Sequence, residues 1–371
     1  MRIAVDARVL ERKMTGIGRY LMDFVSTVEK IDHSNEYILF STLPLQNINK
    51  NYFQNVVLNK YKVNNKLYSP FWLNFILKKY LLKNNYDLFF SPNNLCPVGN
   101  SINFKRVVTI HDVQFKIDNK YYSFYYRNYL NLVLKQAINA ADKIITISNS
   151  SKRDLIKYFN IGEDKIQVIY RAADPKFRKR DPDKNIADGI RMKYKLPNNY
   201  LLYVGVIDNR KNIYSIIKIS DKISALYPDV KFVLIGKPHY GYDNIKREID
   251  KRKNSIIYLE YVNDDDLPYI YNMAKIFLFT SFYEGFGLPV LEAMQSGIPV
   301  ITSNTSSLPE IVGDNGIMHD PNDIEGFVGS ILFLLENGKK YKEYCDKALI
   351  GSKYFNTQNI IKKHVELFNV V

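Results

Sequence analysis

Residues 280–303 read TSFYEGFGLPVLEAMQSGIPVITS and hold a complete strand–loop–helix–strand unit. The apolar run IFLFTS (276–281) ends in a glycine-bearing loop, Tyr283 to Leu288. Pro289 suits the first turn of a helix, where its missing N–H costs nothing. Gly297 and Pro299 end that helix, and PVITS opens the next strand. A loop of this kind aims backbone N–H groups and a helix N-terminus at the C-terminal edge of a parallel sheet, a common seat for phosphate. Glu284 lies in the loop and Glu292 follows eight residues later, about two helical turns on. Both carboxylates can therefore reach one crevice. Gripping sugar hydroxyls is a reason to place acids there; two surface glutamates on an ordinary strand–loop–helix fit the local pattern as well.

The alternation extends in both directions. RIAVDA, YILF, DLFFSP, RVVTIHD and KIITIS are strand candidates in the first half, and YLLYVGV, KFVLIG, SIIYLE, IFLFTS and PVITSN in the second. The stretches between them carry helical periodicity, as in Arg19–Glu29 and Ser123–Ala140. Such alternation predicts βαβ units in parallel sheets, and two groups of strands predict two doubly wound domains. Tyr170 to Tyr200 is polar, basic and poor in strand character, which places the boundary near 172–198. The final YFNTQNIIKKHVELFNVV reads as a closing helix.

With 371 residues the chain is long for one domain. Its 46% hydrophobic and 24% charged residues exclude disorder and fibre classes. No apolar run approaches a spanning helix, and MRIAVDARVL lacks the cleavage site of a signal peptide, so a cytoplasmic location is expected. Cys96 and Cys345 are too few for a disulfide framework or a zinc site. The net charge of +14 suits nucleic acid, an anionic membrane or a phosphorylated substrate, and base composition of the coding sequence accounts for it equally well.

Four segments carry candidate chemistry. The first is the 280–303 unit. In YVGVIDNRKN (203–212), Arg210 and Lys211 sit side by side after a strand, where two cations suit a pyrophosphate whose charge builds as a sugar leaves. As an exposed basic turn they would contribute only about 0–1 kcal/mol to stability. In RVVTIHDVQF (106–115), His111 and Asp112 follow an apolar strand. In DARVLERKMTGIGRY (6–20), Gly16 and Gly18 precede a helix and suit an anion, although the spacing is not that of a dinucleotide fingerprint. Asp264–Asp265–Asp266 reads as the cap of a helix starting DDLPYIY in preference to a metal site. SNSSKRDLIKYF, from Ser148, reads as another capped helix, and Glu310 as structural.

E-G-F-G-L-P-V-L-E-A-M followed by G-I-P-V-I resembles the signature of the family 4 retaining glycosyltransferases with the GT-B fold. The resemblance covers nearly the whole chain and is strongest over 200–320. It implies an α/β architecture of two Rossmann-like doubly wound domains facing a deep interdomain cleft. The N-terminal, acceptor-side domain would span 1–175 with a closing helix at about 355–371, and the donor-binding domain 176–354. It implies that Glu284 contacts the transferred sugar, Glu292 the ribose, and the backbone of Phe286, Gly287 and Leu288 the diphosphate. Arg210 and Lys211 would hold the leaving phosphates, and His111 would face the donor sugar, with Asp112 orienting the ring or the acceptor. Gly16 and Gly18 would belong to a loop covering the diphosphate. The chain departs from the family at Arg171–Ala172–Ala173–Asp174, where relatives often carry N-G-V-D.

The activity so implied is retaining, metal-independent hexosyl transfer from a nucleoside diphosphate sugar to a glycan or lipid-linked acceptor. It needs no cofactor beyond that co-substrate. GDP-mannose is the first expectation from the T-G-I-G-R-Y form, and a UDP-hexose the second. A phosphorylase or epimerase of the same fold lacks a recognisable pyridoxal phosphate lysine motif. No nucleic-acid-binding signature accompanies the dispersed positive charge. Within 49–86, Lys60, Lys62, Lys66, Lys78, Lys79 and Lys83 interleave with Tyr61, Tyr68, Phe71, Trp72, Phe75 and Tyr80. That composition suits peripheral contact with an anionic membrane surface, or a helix packing its aromatics inward.

Overall fold

The computed structural model describes residues 1–11, 15–46, 48–58, 68–99, 102–117, 122–180 and 183–371. The chain divides into two compact units, Met1–Arg171 with Thr357–Val371, and Ala172–Asn356.

The first unit carries seven strands: β1 (Arg2–Asp6), β2 (Glu36–Ser41), β3 (Gln54–Val57), β4 (Leu88–Ser91), β5 (Lys105–Thr109), β6 (Lys143–Thr146) and β7 (Ile166–Val168). They pair in the order β3-β2-β1-β4-β5-β6-β7, every pair parallel. The central strands are apolar throughout because helices cover both faces of a parallel sheet; Ile3, Ala4 and Val5 are fully buried, as are Phe89 and Phe90. Helix Gly16–Ile31 follows β1 and presents Tyr20, Phe24 and Val28 to the core. The closing helix, Thr357–Val370, returns to this unit and buries Ile360, His364 and Phe368. Its Phe368 ring meets Phe24 at 6.0 Å and Phe90 at 5.1 Å.

The second unit carries six: β8 (Tyr200–Val204), β9 (Lys231–Ile235), β10 (Ile256–Leu259), β11 (Ile276–Phe279), β12 (Val300–Ser303) and β13 (Ile317–His319). Their order is β10-β9-β8-β11-β12-β13, again all parallel. The polar stretch between the sheets is not a bare linker. It contributes helix Lys184–Tyr194, capped by Asp183, and buries Phe177 against Tyr271 at 5.3 Å.

In each sheet the order reverses beside its first strand, between β1 and β4 and between β8 and β11. The loops leaving those strands diverge to opposite faces and open a crevice at the C-terminal ends, where doubly wound sheets take their ligands. All ten expected strands are present. The three the sequence did not announce, β3, β7 and β13, lie at sheet edges.

Candidate functional site: a charge-compensated crevice at the β8–β11 switch point

The turn after β8 is set by a cap. Asp208 accepts the Lys211 N–H on Oδ1 at 2.9 Å, which rolls Asn209–Lys211 into one 3₁₀ turn. Asn212 then takes a left-handed conformation, φ 54°, and its amide donates to the Pro321 carbonyl at 2.7 Å. The loop after β11 is stitched to this turn: Phe282 N–H donates to the Arg210 carbonyl at 3.1 Å, and Thr280 Oγ1 donates to the Asn212 carbonyl at 3.1 Å. Two segments some seventy residues apart thus form one rigid rim.

Lys211 and Glu284 meet across that rim. Lys211 Nζ donates to Glu284 Oε1, and the two residues are each only 8% exposed. The Lys211 ammonium also stands 5.4 Å from the Phe279 ring. The expectation of an exposed basic turn therefore fails for Lys211, because the turn is folded back onto the sheet and its cation is buried. Arg210 keeps more solvent contact and pairs with Asp208, Nη2 to Oδ2 at 3.2 Å. Both cations expected to meet a diphosphate rest on carboxylates.

The loop itself is held from the other side. Ser306 Oγ accepts the Glu284 N–H at 2.8 Å, and Ser307 Oγ donates to the carbonyls of Glu284 and Phe286 at 2.9 and 2.5 Å. Gly287 has φ +122°, and a Cβ there would lie 2.9 Å from Leu308 Cδ2; only glycine combines that backbone with that close approach. Helix Leu288–Gln295 starts immediately after it. The backbone of Gly287 and Leu288 thus falls at a helix N-terminus, where N–H groups have no intrahelical acceptor. Phe286 turns its buried ring toward Phe355 at 5.8 Å.

Glu292, about one turn along that helix, is buried and accepts from Tyr271 Oη at 2.9 Å. The two glutamates have separate partners: Glu284 a lysine, Glu292 a tyrosine on helix Leu267–Met273. The Asp264–Asp266 run lies before that helix. Asp266 occupies the N-cap but makes no side-chain cap bond. Its carboxylate instead accepts from Lys193 Nζ and Tyr194 Oη at 2.6 and 2.7 Å, tying two helices together, so the capping expectation is corrected for Asp266. Among the described residues no cluster of three His, Cys, Asp or Glu forms a metal-binding group.

In the first unit, His111 follows β5, and its Nε2 lies 2.8 Å from the Pro92 carbonyl in the loop after β4. A carbonyl accepts only, so Nε2 carries the proton and Nδ1 is the acceptor. Burial, then the Arg171 charge, push the ring's pKa down to about 4, which makes it neutral at pH 7. Its backbone carbonyl accepts from Ser151 Oγ at 3.0 Å, and Tyr20 stands edge-on at 5.1 Å. Asp112 Oδ1 accepts the Gln114 N–H at 3.1 Å, opening a short helix.

Gly16 and Gly18 lie inside the first turn of helix Gly16–Ile31, not in a loop before it. Thr15 Oγ1 caps that helix by accepting the Gly18 N–H at 3.2 Å, which corrects the reading of Gly18 as a loop donor. Arg12–Met14 of the same segment lie outside the described residues. Arg171, buried at 7% exposure, donates to the Gly16 carbonyl at 2.9 Å and stands 5.8 Å from the Tyr20 ring. This is what occupies the position where the family departs.

Of the basic–aromatic stretch at 49–86, Lys60, Tyr61, Lys62 and Lys66 lie outside the described residues. Trp72 is fully buried, donates to the Leu58 carbonyl at 2.9 Å and lies beneath Arg8 at 4.2 Å. Tyr80 packs on Phe40 at 5.6 Å. These two rings are inward, while Phe71 and Phe75 stack on each other at 5.0 Å, 43% and 66% exposed.

A pair of doubly wound parallel sheets, with a lysine–glutamate pair at the switch point of the second, defines a two-domain α/β scaffold of the doubly wound class. Residues 14–177 match the family described as Glycosyltransferase Family 4, and residues 190–349 the Glycosyl transferases group 1. The chain is 32% identical over 272 residues to the O-antigen chain mannosyltransferase B of Escherichia coli, covering 72% of this chain and 71% of that protein. It is 25% identical to the O-antigen chain mannosyltransferase RfbU of Salmonella typhimurium, covering 88% and 89%. Among solved structures, HepE of Anabaena in complex with UDP superposes with a TM-score of 0.75 over 100% of both chains at 18% identity. A Rickettsia africae glycosyltransferase gives 0.73 over 99% and 97%, also at 18%. The chain belongs to the family 4-like glycosyltransferases of the GT-B fold.

Proposed function

We propose that this glycosyltransferase moves a hexose, mannose in the first instance, from a nucleoside diphosphate sugar to a glycan or lipid-linked acceptor in cell-surface polysaccharide synthesis. The observation that carries the proposal is the buried Lys211–Glu284 pair, with Arg210 on Asp208 beside it, at the switch point of the second sheet. The mannosyltransferase relatives support the sugar.

The second unit takes the donor. Arg210 and Lys211 turn to the diphosphate, and Glu284, relieved of its lysine, accepts from the sugar's hydroxyls. Glu292, already an acceptor for a hydroxyl, takes the ribose. In the transfer the bond from the anomeric carbon to the diphosphate oxygen breaks. The acceptor hydroxyl attacks from the same face, and its proton passes to the departing phosphate oxygen. Configuration is retained without a covalent enzyme intermediate. Charge grows on the phosphate as that bond breaks, and preorganised cations are worth most at that moment. Those cations supply the neutralisation without a divalent metal.

The first unit takes the acceptor. Exposed Phe71 and Phe75, with Lys79 and Lys83 exposed further along the same helical stretch, suit an anionic bilayer where a lipid-linked acceptor would reside. No helix among the described residues is long and apolar enough to cross a membrane.

The test is a donor screen. GDP-mannose and UDP-hexoses are each incubated with acceptor lipid extract, with and without chelator, and nucleoside diphosphate release is followed. The proposal expects release from GDP-mannose first, unaffected by chelator, and an axial product linkage by NMR. Release from no donor, or inversion at the anomeric carbon, would overturn it.

A further inference from the structure

Asp208 is 2% exposed and stands between a guanidinium and an imidazole. Its Oδ2 lies 3.2 Å from Arg210 Nη2 and 3.3 Å from His239 Nδ1. Oδ1 is committed to the Lys211 N–H. His239 reaches it from the loop after β9, and the backbone fixes that approach. Ile207 N–H donates to the Lys237 carbonyl at 2.9 Å, and His239 N–H donates back to the Ile207 carbonyl at 3.1 Å. At Gly236, φ +155°, a Cβ would lie 1.8 Å from the Gly205 carbonyl oxygen. The two strand ends therefore meet backbone to backbone, and no other residue fits between them.

Charge accounting gives His239 a task. In the empty crevice Lys211 rests on Glu284 and Arg210 on Asp208. A donor diphosphate that draws Arg210 away leaves a buried carboxylate without its cation, which is strongly unfavourable. His239 already touches the oxygen that Arg210 would vacate, and imidazole is the side chain that takes up a proton near neutral pH. The other titratable groups around it are Arg210 from the β8 turn, and Tyr242, Asp243 and Arg247, which line a hollow with it. Asp243 and Arg247 are opposite in sign, and Asp208 is the carboxylate paired with the ring.

We infer that His239 is a positioning residue: it takes up a proton and holds Asp208 when Arg210 transfers to the donor's diphosphate, so that donor binding is linked to proton uptake. The inference rests on the donor site proposed above.

The experiment titrates the full chain with GDP and with UDP by calorimetry, in phosphate and in Tris at pH 7.5. The difference in heat between the buffers counts protons. Wild type is compared with His239→Gln, which cannot charge, and His239→Lys, which is always charged. His239 is largely exposed, with 60% of its side chain in solvent, so both variants should fold. Comparison with wild type cancels the nucleotide's own titration. Wild type should take up roughly half a proton more than His239→Gln. The ratio of their affinities should fall by up to about tenfold from pH 6 to 8.5. His239→Lys should bind without that uptake. Equal proton counts and parallel affinity–pH curves in wild type and His239→Gln would overturn the inference while leaving the donor site standing. If neither nucleotide binds wild type, the donor reading falls and this inference with it.

Discussion

Replacing Lys211 by alanine should destabilise the protein as well as silence it, and the structure sets the size of the effect. The ammonium and the Glu284 carboxylate are each in side chains 10% exposed. Removing the lysine leaves Glu284 buried without its cation, a change that costs about 3–5 kcal/mol in buried pairs. The residual exposure argues for the lower end, about 3 kcal/mol. In a unit of this size each kcal/mol moves the melting temperature by about 2–4 °C, so Lys211→Ala should melt about 6–12 °C lower. The double variant Lys211→Met, Glu284→Gln removes both charges and keeps most of the volume. It should recover the greater part of that loss while remaining inactive. A thermal melt of wild type, Lys211→Met, Glu284→Gln and the double variant, taken as a cycle with Lys211→Ala alongside, is the assay. A Lys211→Ala melt within a degree or two of wild type would refute the buried-pair reasoning and restore the exposed turn that the sequence suggests.

Three further outcomes follow from the same contacts. Gly287→Ala places a Cβ against Leu308 at φ +122° and should cost about 1–3 kcal/mol; an unchanged chemical denaturation midpoint would contradict the strain. His111 and His364 both have pKa values pushed down to about 4, chiefly by burial. The unfolded chain therefore binds more protons than the folded one between about pH 6.5 and 4. Stability should be full above that window and decline as pH falls through it, and a flatter decline in His364→Gln, read by melts at pH 7 and 5, checks the assignment. Phe71→Ala with Phe75→Ala should abolish sedimentation with anionic vesicles at low salt; retention equal to wild type would remove that face from the membrane proposal.

Much of the architecture was legible because central parallel strands are buried on both faces and read as unbroken apolar runs. The strands that escaped, Gln54–Val57, Ile166–Val168 and Ile317–His319, are three or four residues long at sheet edges, where half the surroundings are absent and the run need not be apolar. Lys211 and Glu284 were each visible as motif residues, but their pairing was not, since it depends on adjacency of β8 and β11. Asp208 does carry a local signal: an aspartate three residues before Lys211 is a capping pattern, overshadowed by the two cations behind it. Asp266 shows the converse, since a sequence that looks like a cap serves instead as a bridge to Lys193 and Tyr194. The Tyr20–His364 bond at 2.7 Å joins residues 344 positions apart, and Arg171–Gly16 joins residues 155 apart. Contacts of that range have no local pattern, and only the closed fold brings them together.

Transfer as proposed requires the cations of the second unit to meet a leaving diphosphate, and Arg210 tests this most cleanly because its side chain is 22% exposed and its loss leaves His239 beside Asp208. The measurement is turnover of Arg210→Ala with the donor identified by the screen, at a temperature where its melt shows it folded. Losing one preorganised contact to developing charge costs about 2.7–4 kcal/mol, so kcat should fall roughly 100- to 1000-fold. Turnover near that of wild type in the folded variant would contradict the assignment of this crevice to the donor diphosphate.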